Sequence, residues 1–279
     1  MKYLILALTL LASISSGLVL AATEADENIS AVAAKPAAPS ILDQIYVNDF
    51  TILHGPNIAN VTSSYQADHN GKPSTTAGVN FDNEITTAYL FNQNLGIGPD
   101  IPFLWVPVMG QGFILGDLGI KGFERNVISS NGFSLYVGAY LQAPTSVASQ
   151  ARNMTFGAKI TPALRYVVPH SRFTLSLWTE EKEYAGVTSG KTFRLYASPA
   201  IAYQLSPKFS LNLGYEQDMQ HFVGDPGMSF STYQSDFMPG VIWNVSKQVM
   251  LNPYLQAFTT TGWSANTLAV GAMVSATVL

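Results

Sequence analysis

From about residue 58 to the end of the chain, apolar and polar side chains alternate with a period of two. In the clearest run, Gly132 to Gln142, the residues Phe133, Leu135, Val137, Ala139 and Leu141 fall on one face, and Ser134, Tyr136, Gly138, Tyr140 and Gln142 on the other. Successive side chains of a β-strand point to opposite sides, so such a run predicts a strand with one greasy and one wet face. Residues 153–168 repeat the pattern, with Met154, Phe156, Ala158, Ile160, Pro162, Leu164 and Tyr166 opposed to Asn153, Thr155, Gly157, Lys159, Thr161 and Arg165. So do 191–205, 208–220 and 248–260. Together the segments predict about twelve strands, near 58–67, 79–91, 95–106, 113–124, 132–142, 153–168, 171–180, 191–205, 208–220, 230–245, 248–260 and 266–278. The first is the weakest, its greasy face being only Ala59, Val61 and Tyr65.

The links alternate in length. Short ones fall at 92–94, 169–170, 206–207 and 246–247, and longer ones at 68–78, 143–152, 181–190, 221–229 and 261–265; 107–112 and 125–131 blur the rule. Greasy-face aromatics gather beside the short turns (Phe91, Phe133, Tyr166, Phe173, Tyr203, Phe209, Trp243) and again toward the other strand ends (Trp105, Phe156, Phe193, Tyr215, Tyr233). Short turns at one end, long loops at the other and two aromatic belts predict a barrel standing across a membrane. A soluble β-sandwich does not explain why almost no charge interrupts the greasy face. The in-strand prolines Pro162, Pro199, Pro239 and Pro253 weaken any sheet, since each removes a ladder hydrogen bond.

Composition narrows the picture. Charged residues are 11% of the 279-residue chain and hydrophobic ones 47%, so polarity comes from Ser, Thr, Asn, Gln and Gly. Past the first 21 residues no apolar run approaches the roughly 20 residues a membrane helix needs. A chain that crosses a membrane must then do so with strands in a closed sheet, since an open edge cannot be hydrated in lipid. A net charge of −4 offers no footprint for nucleic acid, and the absence of Cys rules out disulfides, thiolate metal sites and a lipid-anchored cysteine. Lys2, the apolar stretch to Leu11 and the small residues ending Val19-Leu20-Ala21 predict an export signal over 1–21, cleaved after Ala21. Residues 22–57 read as a flexible periplasmic lead, within which Ile41 to Leu53 could form a small plug.

Segments such as Leu95 to Trp105 and Phe113 to Phe123 look like barrel strands of outer-membrane transporters, and over 58–279 the chain resembles bacterial outer-membrane β-barrels of the porin-like, roughly twelve-stranded kind. The resemblance implies an all-β, antiparallel up-and-down transmembrane barrel in the bacterial outer membrane. Its expected partners are outer-membrane lipid and lipopolysaccharide, the barrel-assembly machinery and a small polar solute. One feature departs from the class, whose members usually end in Phe or Trp: this chain ends Thr277-Val278-Leu279.

The wet faces would line the lumen. Candidate lining cations are Lys121, Lys159, Arg165, Arg172 and Arg194, and candidate acids Asp82, Glu84, Asp100, Asp117, Glu216, Asp218 and Asp236, with Asp117 and Lys121 sharing a face. A basic wall opposite an acidic one would orient a polar solute, because low-dielectric walls focus the field; paired charges would simply keep the lumen wet. Tyr136, Tyr140, Tyr196 and Tyr254 also point inward, as a stacking track or as filler. The first expectation is a passive channel, the second a closed barrel acting through its loops. The third is a lipid-modifying enzyme, which needs a hydroxyl within reach of a base. His54, His69, His170 and His221 all read as turn or flanking residues, and Glu180, Glu181 and Glu183 as a solvated loop, so the expectation is no enzyme. No metal-ligand spacing or nucleotide motif stands out, and no cofactor is expected.

Overall fold

The computed structural model describes residues 44–58, 63–67, 73–107, 112–259 and 263–277; the expected export signal and most of the lead lie outside them. In chain order the strands are β1 (Ile45–Asn57), β2 (Ser63–Ala67), β3 (Pro73–Gly78), β4 (Asn80–Leu90), β5 (Leu95–Val106), β6 (Gly112–Leu115), β7 (Gly119–Ser130), β8 (Phe133–Gln142), β9 (Phe156–Val167), β10 (Phe173–Ala185), β11 (Lys191–Gln204), β12 (Phe209–Phe222), β13 (Ser231–Asn244), β14 (Val249–Phe258) and β15 (Leu268–Thr277). A five-residue helix, α1 (Val147–Ala151), lies between β8 and β9. Twelve strands form an antiparallel ring, which closes because β1 pairs with both β4 and β15. The β2–β3 hairpin is a separate sheet, and β6 folds back onto the end of β5.

The ring turns the usual burial pattern inside out. Exposed large apolar side chains circle its outside, among them Ile97, Ile101, Leu141, Leu164, Leu175, Leu177, Leu211, Leu213, Leu255 and Val270. The largest fully buried side chains are all polar: Gln220, Thr86, Asp100, Asp236 and Ser149. A soluble fold cannot carry such an exterior, whereas a membrane-spanning barrel requires it. Neighbouring strands stack aromatics along the short-turn end, with Phe133–Tyr166 centroids 4.1 Å apart, Phe173–Tyr203 4.9 Å and Phe209–Trp243 5.8 Å.

The in-strand prolines follow a common arrangement. Pro162, Pro199, Pro239 and Pro253 are each in register with one neighbour, facing Val137, Leu177, Leu213 and Ala272. On the other side, the pairings β9–β10, β11–β12 and β13–β14 skip the proline position. A strand residue donates its N–H to one neighbour only, so each proline breaks one ladder and leaves the other intact.

Four boundaries differ from the sequence expectation. The first barrel strand is Ile45–Asn57, not 58–67, so the barrel begins inside the segment read as flexible lead or plug. It was hidden because its outward row carries Asp49 and Thr51, which break the apolar alternation; Thr51 instead donates to Asn83 Oδ1 on β4 at 2.7 Å. The strand expected at 113–124 divides into β6 and β7, with Gly116 N bonded to Pro102 O at 2.8 Å in the break. The outward row changes parity there, from Phe113 and Leu115 to Ile120. β7 then runs on to Ser130, and the link read as a long inner turn is the two-residue turn Asn131-Gly132. Both turn residues have positive φ, 49° and 84°, the conformation Asn-Gly adopts in a tight hairpin. β10 likewise continues past 180 to Ala185. With these corrections short turns and longer connections alternate around the ring except at 186–190, which is no longer than the turn 168–172 before it, and both ends of the described barrel, Ile45 and Thr277, lie at the short-turn end.

Because β1 supplies the closing pairs, a chain beginning at residue 58 should fail to form the ring, while one beginning at residue 40 should form it. Refolding both in detergent and comparing heated with unheated electrophoretic mobility checks this. A heat-modifiable species from the shorter chain would contradict the assignment.

Candidate functional site

The inward rows of the twelve strands enclose a cavity of about 660 Å³. Long side chains from different strands meet across it. Glu84 on β4 receives Lys121 Nζ from β7 at 2.8 Å and Lys159 Nζ from β9 at 3.1 Å. The Tyr140 hydroxyl on β8 donates to the same carboxylate at 3.1 Å, and Lys159 Nζ lies 3.8 Å from the centroid of the Tyr140 ring. The chain of charges continues from Lys159 to Glu180 at 3.8 Å, from Glu180 to Arg194 at 2.9 Å and from Arg194 to Asp218 at 2.9 Å. Six residues therefore alternate in sign around half the lumen: Lys121, Glu84, Lys159, Glu180, Arg194, Asp218. Such pairs are screened less than surface pairs, and each acid takes more than one donor, as a buried charge requires.

A second contact crosses the lumen. Phe50 on β1 and Trp178 on β10 meet edge to face with centroids 5.7 Å apart, although their strands are six places apart in either direction round the ring. The bore is thus narrow enough for opposite walls to touch. Nearby, Tyr46 of β1 packs on Phe123 of β7, centroids 5.4 Å apart, and Arg125 lies 4.3 Å from the Tyr46 ring centroid.

The expected lining residues divide into groups. Lys121, Lys159, Arg194 and Asp218 belong to the ladder. Glu216 and Asp236 are cross-strand partners on β12 and β13, held by amides rather than cations: Gln234 donates to Asp236 at 2.8 Å and to Glu216 at 3.3 Å, and Gln256 donates to Asp236 at 3.0 Å. Asp100 is fully buried and accepts from Thr86 Oγ1 at 3.0 Å. Tyr136 and Tyr140 of β8, Tyr196 of β11 and Tyr254 of β14 line the cavity, without a continuous stack of the four. Asp100 Oδ2, Gln142 Oε1, Gln220 Oε1, Asp236 Oδ1 and Asn252 Oδ1 are buried without a protein donor, and of these residues only Gln142 lines the cavity.

Two expected residues stand away from the cavity, and a third, Asp117, lines it from outside the strands. Arg172 lies in the β9–β10 turn, where its carbonyl accepts from Gln204 N at 2.9 Å. Arg165, two residues from the end of β9, is exposed at the short-turn end, away from Lys159 and Arg194. Asp117 is in the β6–β7 break, not on a strand with Lys121. It accepts Ser146 N at 2.9 Å and Ser149 Oγ at 2.5 Å, tying α1 to the long-loop mouth.

Glu180, read as part of a loop, is buried at the centre of the ladder. The extension of β10 also brings Lys182 and Tyr184 to the cavity, joined there by Lys191 and Arg152. The signal that could have found them is the unbroken wet row Ser176, Trp178, Glu180, Lys182, Tyr184. The outward row turns polar at Thr179, Glu181 and Glu183 because the strand there rises above the apolar band, and that hid its continuation.

Among the histidines, His54 lines the cavity from β1, and His170 is in a short turn with φ 56°. His69 lies outside the described residues. His221 lies within β12 rather than in a loop. Its Nδ1 bonds to the Thr192 hydroxyl and its Nε2 to Gly227 O at 2.9 Å. No group of three metal-ligating side chains occurs among the described residues.

No protein-family model matches the chain, and no curated sequence does. Among solved structures, an outer membrane channel from Pseudomonas putida F1 is similar with a TM-score of 0.53 at 14% identity, over 88% of this chain and all of that one. LpxR from Salmonella typhimurium (TM-score 0.43, 8% identity, 84% of this chain and 99% of that one) and OmpF from Salmonella typhi (0.39, 7%, 84% and 97%) are more remote. The Pseudomonas putida likeness concerns the fold alone: the chain is a closed β-barrel of the kind that outer-membrane proteins adopt, with an apolar girdle on its outside.

Since Glu84 joins two lysines and a tyrosine, Glu84→Gln should leave Lys121 and Lys159 short of a counter-charge and cost about 3 kcal/mol, in the range for breaking a buried pair. The double variant Glu84→Gln/Lys159→Met should recover part of the loss. Urea titration of the refolded barrel measures both, and equal stability of Glu84→Gln and the parent would remove the ladder's structural role.

Proposed function

We propose that this barrel is an outer-membrane channel through which small polar solutes diffuse passively along a narrow, charged lumen. The observation that carries the reading is the polar interior. Its largest buried side chains are polar, and charged, amide and hydroxyl side chains from its inward rows line a cavity of about 660 Å³. A barrel needed only as a rigid pedestal would gain more from a packed apolar interior, as burying unpaired polar groups is costly.

The charges also have a direction. Lys182 and Lys191, which form no salt bridge among the described residues, stand on β10 and β11, and Asp82 faces them from β4, six places from β11 round the ring. Opposed charge across a low-dielectric bore orients a dipolar or charged solute. The Pseudomonas putida neighbour of similar fold is itself described as an outer membrane channel, which supports the same use of the fold here. The Phe50–Trp178 contact makes the bore narrow at one level, so the conductance is small.

A second reading is favoured by one observation. The Thr192 hydroxyl bonds to an imidazole whose other nitrogen is fixed by the Gly227 carbonyl, which is the hydroxyl–base part of a hydrolytic arrangement. Hydrolysis of phospholipid or lipopolysaccharide acyl esters, abolished by His221→Ala, would favour this lipid-modifying reading.

Planar-bilayer recording tests the channel. Trp178→Ala should raise single-channel conductance by roughly twofold or more by widening the constriction. Arg194→Gln should shift the reversal potential toward cations, and Arg165→Gln at the exposed end should shift it far less. Silence of both the parent and Trp178→Ala would sink the channel in favour of a barrel acting through its loops.

A further inference from the structure

One part of the lumen wall is left electrostatically unbalanced. Lys182 on β10 is in register with Lys159 on β9 and with Arg194 on β11, so three cations stand side by side on adjacent strands. Like charges directly opposite one another destabilise a sheet. The two outer members are offset, Lys159 by Glu84 and Glu180, and Arg194 by Glu180 and Asp218. The middle one is not: among the described residues no carboxylate lies within 4.0 Å of Lys182 Nζ, which sits 5.0 Å from the Tyr184 ring centroid.

Two more cations without a salt bridge among the described residues stand above it, toward the long-loop end. Arg152, the C-cap of α1, lies 5.3 Å from the same Tyr184 ring, and its Nε donates to Ala148 O at 3.2 Å. Lys191, the first residue of β11, lies 5.5 Å from the Tyr233 ring. Lys182, Tyr184, Lys191 and Arg152 all line the cavity. Asp82 faces these cations from β4 across the bore without forming a salt bridge to any of them, and the acids on their own side are committed elsewhere. Glu180 bridges Lys159 and Arg194, and Asp117 is held by Ser146 and Ser149. Glu181 and Glu183 lie on the outward row of β10, in register with Leu195 and Phe193.

We infer that this vestibule is an anion-binding site in which Lys182, Lys191 and Arg152, grouped about Tyr184, take the phosphate of a small phosphorylated solute. A doubly charged phosphate matches three cations grouped on one arc of the cavity wall better than a single carboxylate does, and Arg152 can offer it a planar pair of donors. The Tyr184 ring supplies an apolar face for the rest of the solute. The site deepens the channel reading by naming a solute class and rests on that reading for its role, though the binding itself does not require conduction. Lipopolysaccharide phosphates present the same chemistry from another source.

The test uses the full refolded barrel in detergent free of lipopolysaccharide, titrated calorimetrically with inorganic pyrophosphate at constant ionic strength. The parent should bind, and Lys182→Gln/Lys191→Gln should bind at least about tenfold more weakly, the loss expected for one or more charge-assisted contacts. Lys182→Arg should retain binding, which separates lost charge from lost fold. Displacement of pyrophosphate by lipopolysaccharide would support the site and assign it to a headgroup; indifference to lipopolysaccharide would assign it to a free solute. No pyrophosphate binding by a heat-modifiable, folded parent, or equal binding by the double glutamine variant, would overturn the inference. Bilayer recordings on the same preparations keep the two proposals apart: conduction without binding removes the site alone, and binding without conduction removes the channel alone.

Discussion

Inside a bilayer no water is available to an unpaired backbone N–H or C=O, and that constraint organises this molecule. It forces the sheet to close, and closure rests on β1, whose two edges meet β4 and β15. Once the ring is closed, period-two alternation has a single meaning all round it: one row faces lipid and the next faces the bore. The proline placements follow from the same constraint. A break in one ladder beside an intact one leaves the strand anchored, whereas breaks on both sides would free it.

The alternation made most of the ring legible in the chain, because the greasy row is long and nearly free of charge. It failed where a local interaction substitutes for burial. Asp49 and Thr51 on the outward row of β1 look wrong for a membrane strand until Thr51 is seen donating to Asn83 on β4, a lateral contact that no one-dimensional pattern contains. The Asn131-Gly132 turn was readable from its two residues, but the bulge between Glu124 and Ile128 in β7 lengthened the irregular stretch before it and masked the signal.

The site was legible in a weaker sense. Parity says which side chains enter the lumen. It does not say how high along the bore they stand or which ones meet across it. Arg165 and Lys159 share a row, yet one is exposed at the short-turn end and the other is buried in the ladder. Glu84 reaches Lys159 over four strands of the ring, a chord available only because the bore is narrow. Glu180, Lys182 and Tyr184 were hidden because the outward row of β10 turns polar above the apolar band while its inward row continues unchanged.

In a bore this narrow, the groups that hold the wall and the groups that a solute would meet are the same groups. Widening the ring would separate Phe50 from Trp178 and pull Glu84 away from its lysines; filling it with apolar side chains would remove the ladder's counter-charges together with any passage. The ladder occupies one arc of the lumen and brings its charges into pairs. The vestibule above it, at Lys182, Lys191 and Arg152, is the part of that arc where cations stand without carboxylate partners. Charge that is already neutralised within the wall contributes structure and little long-range field, whereas unpaired charge set in a low-dielectric rim projects its field into the entrance. The division between paired and unpaired cations on β9, β10 and β11 therefore separates the charges that stabilise this barrel from those able to select what enters it.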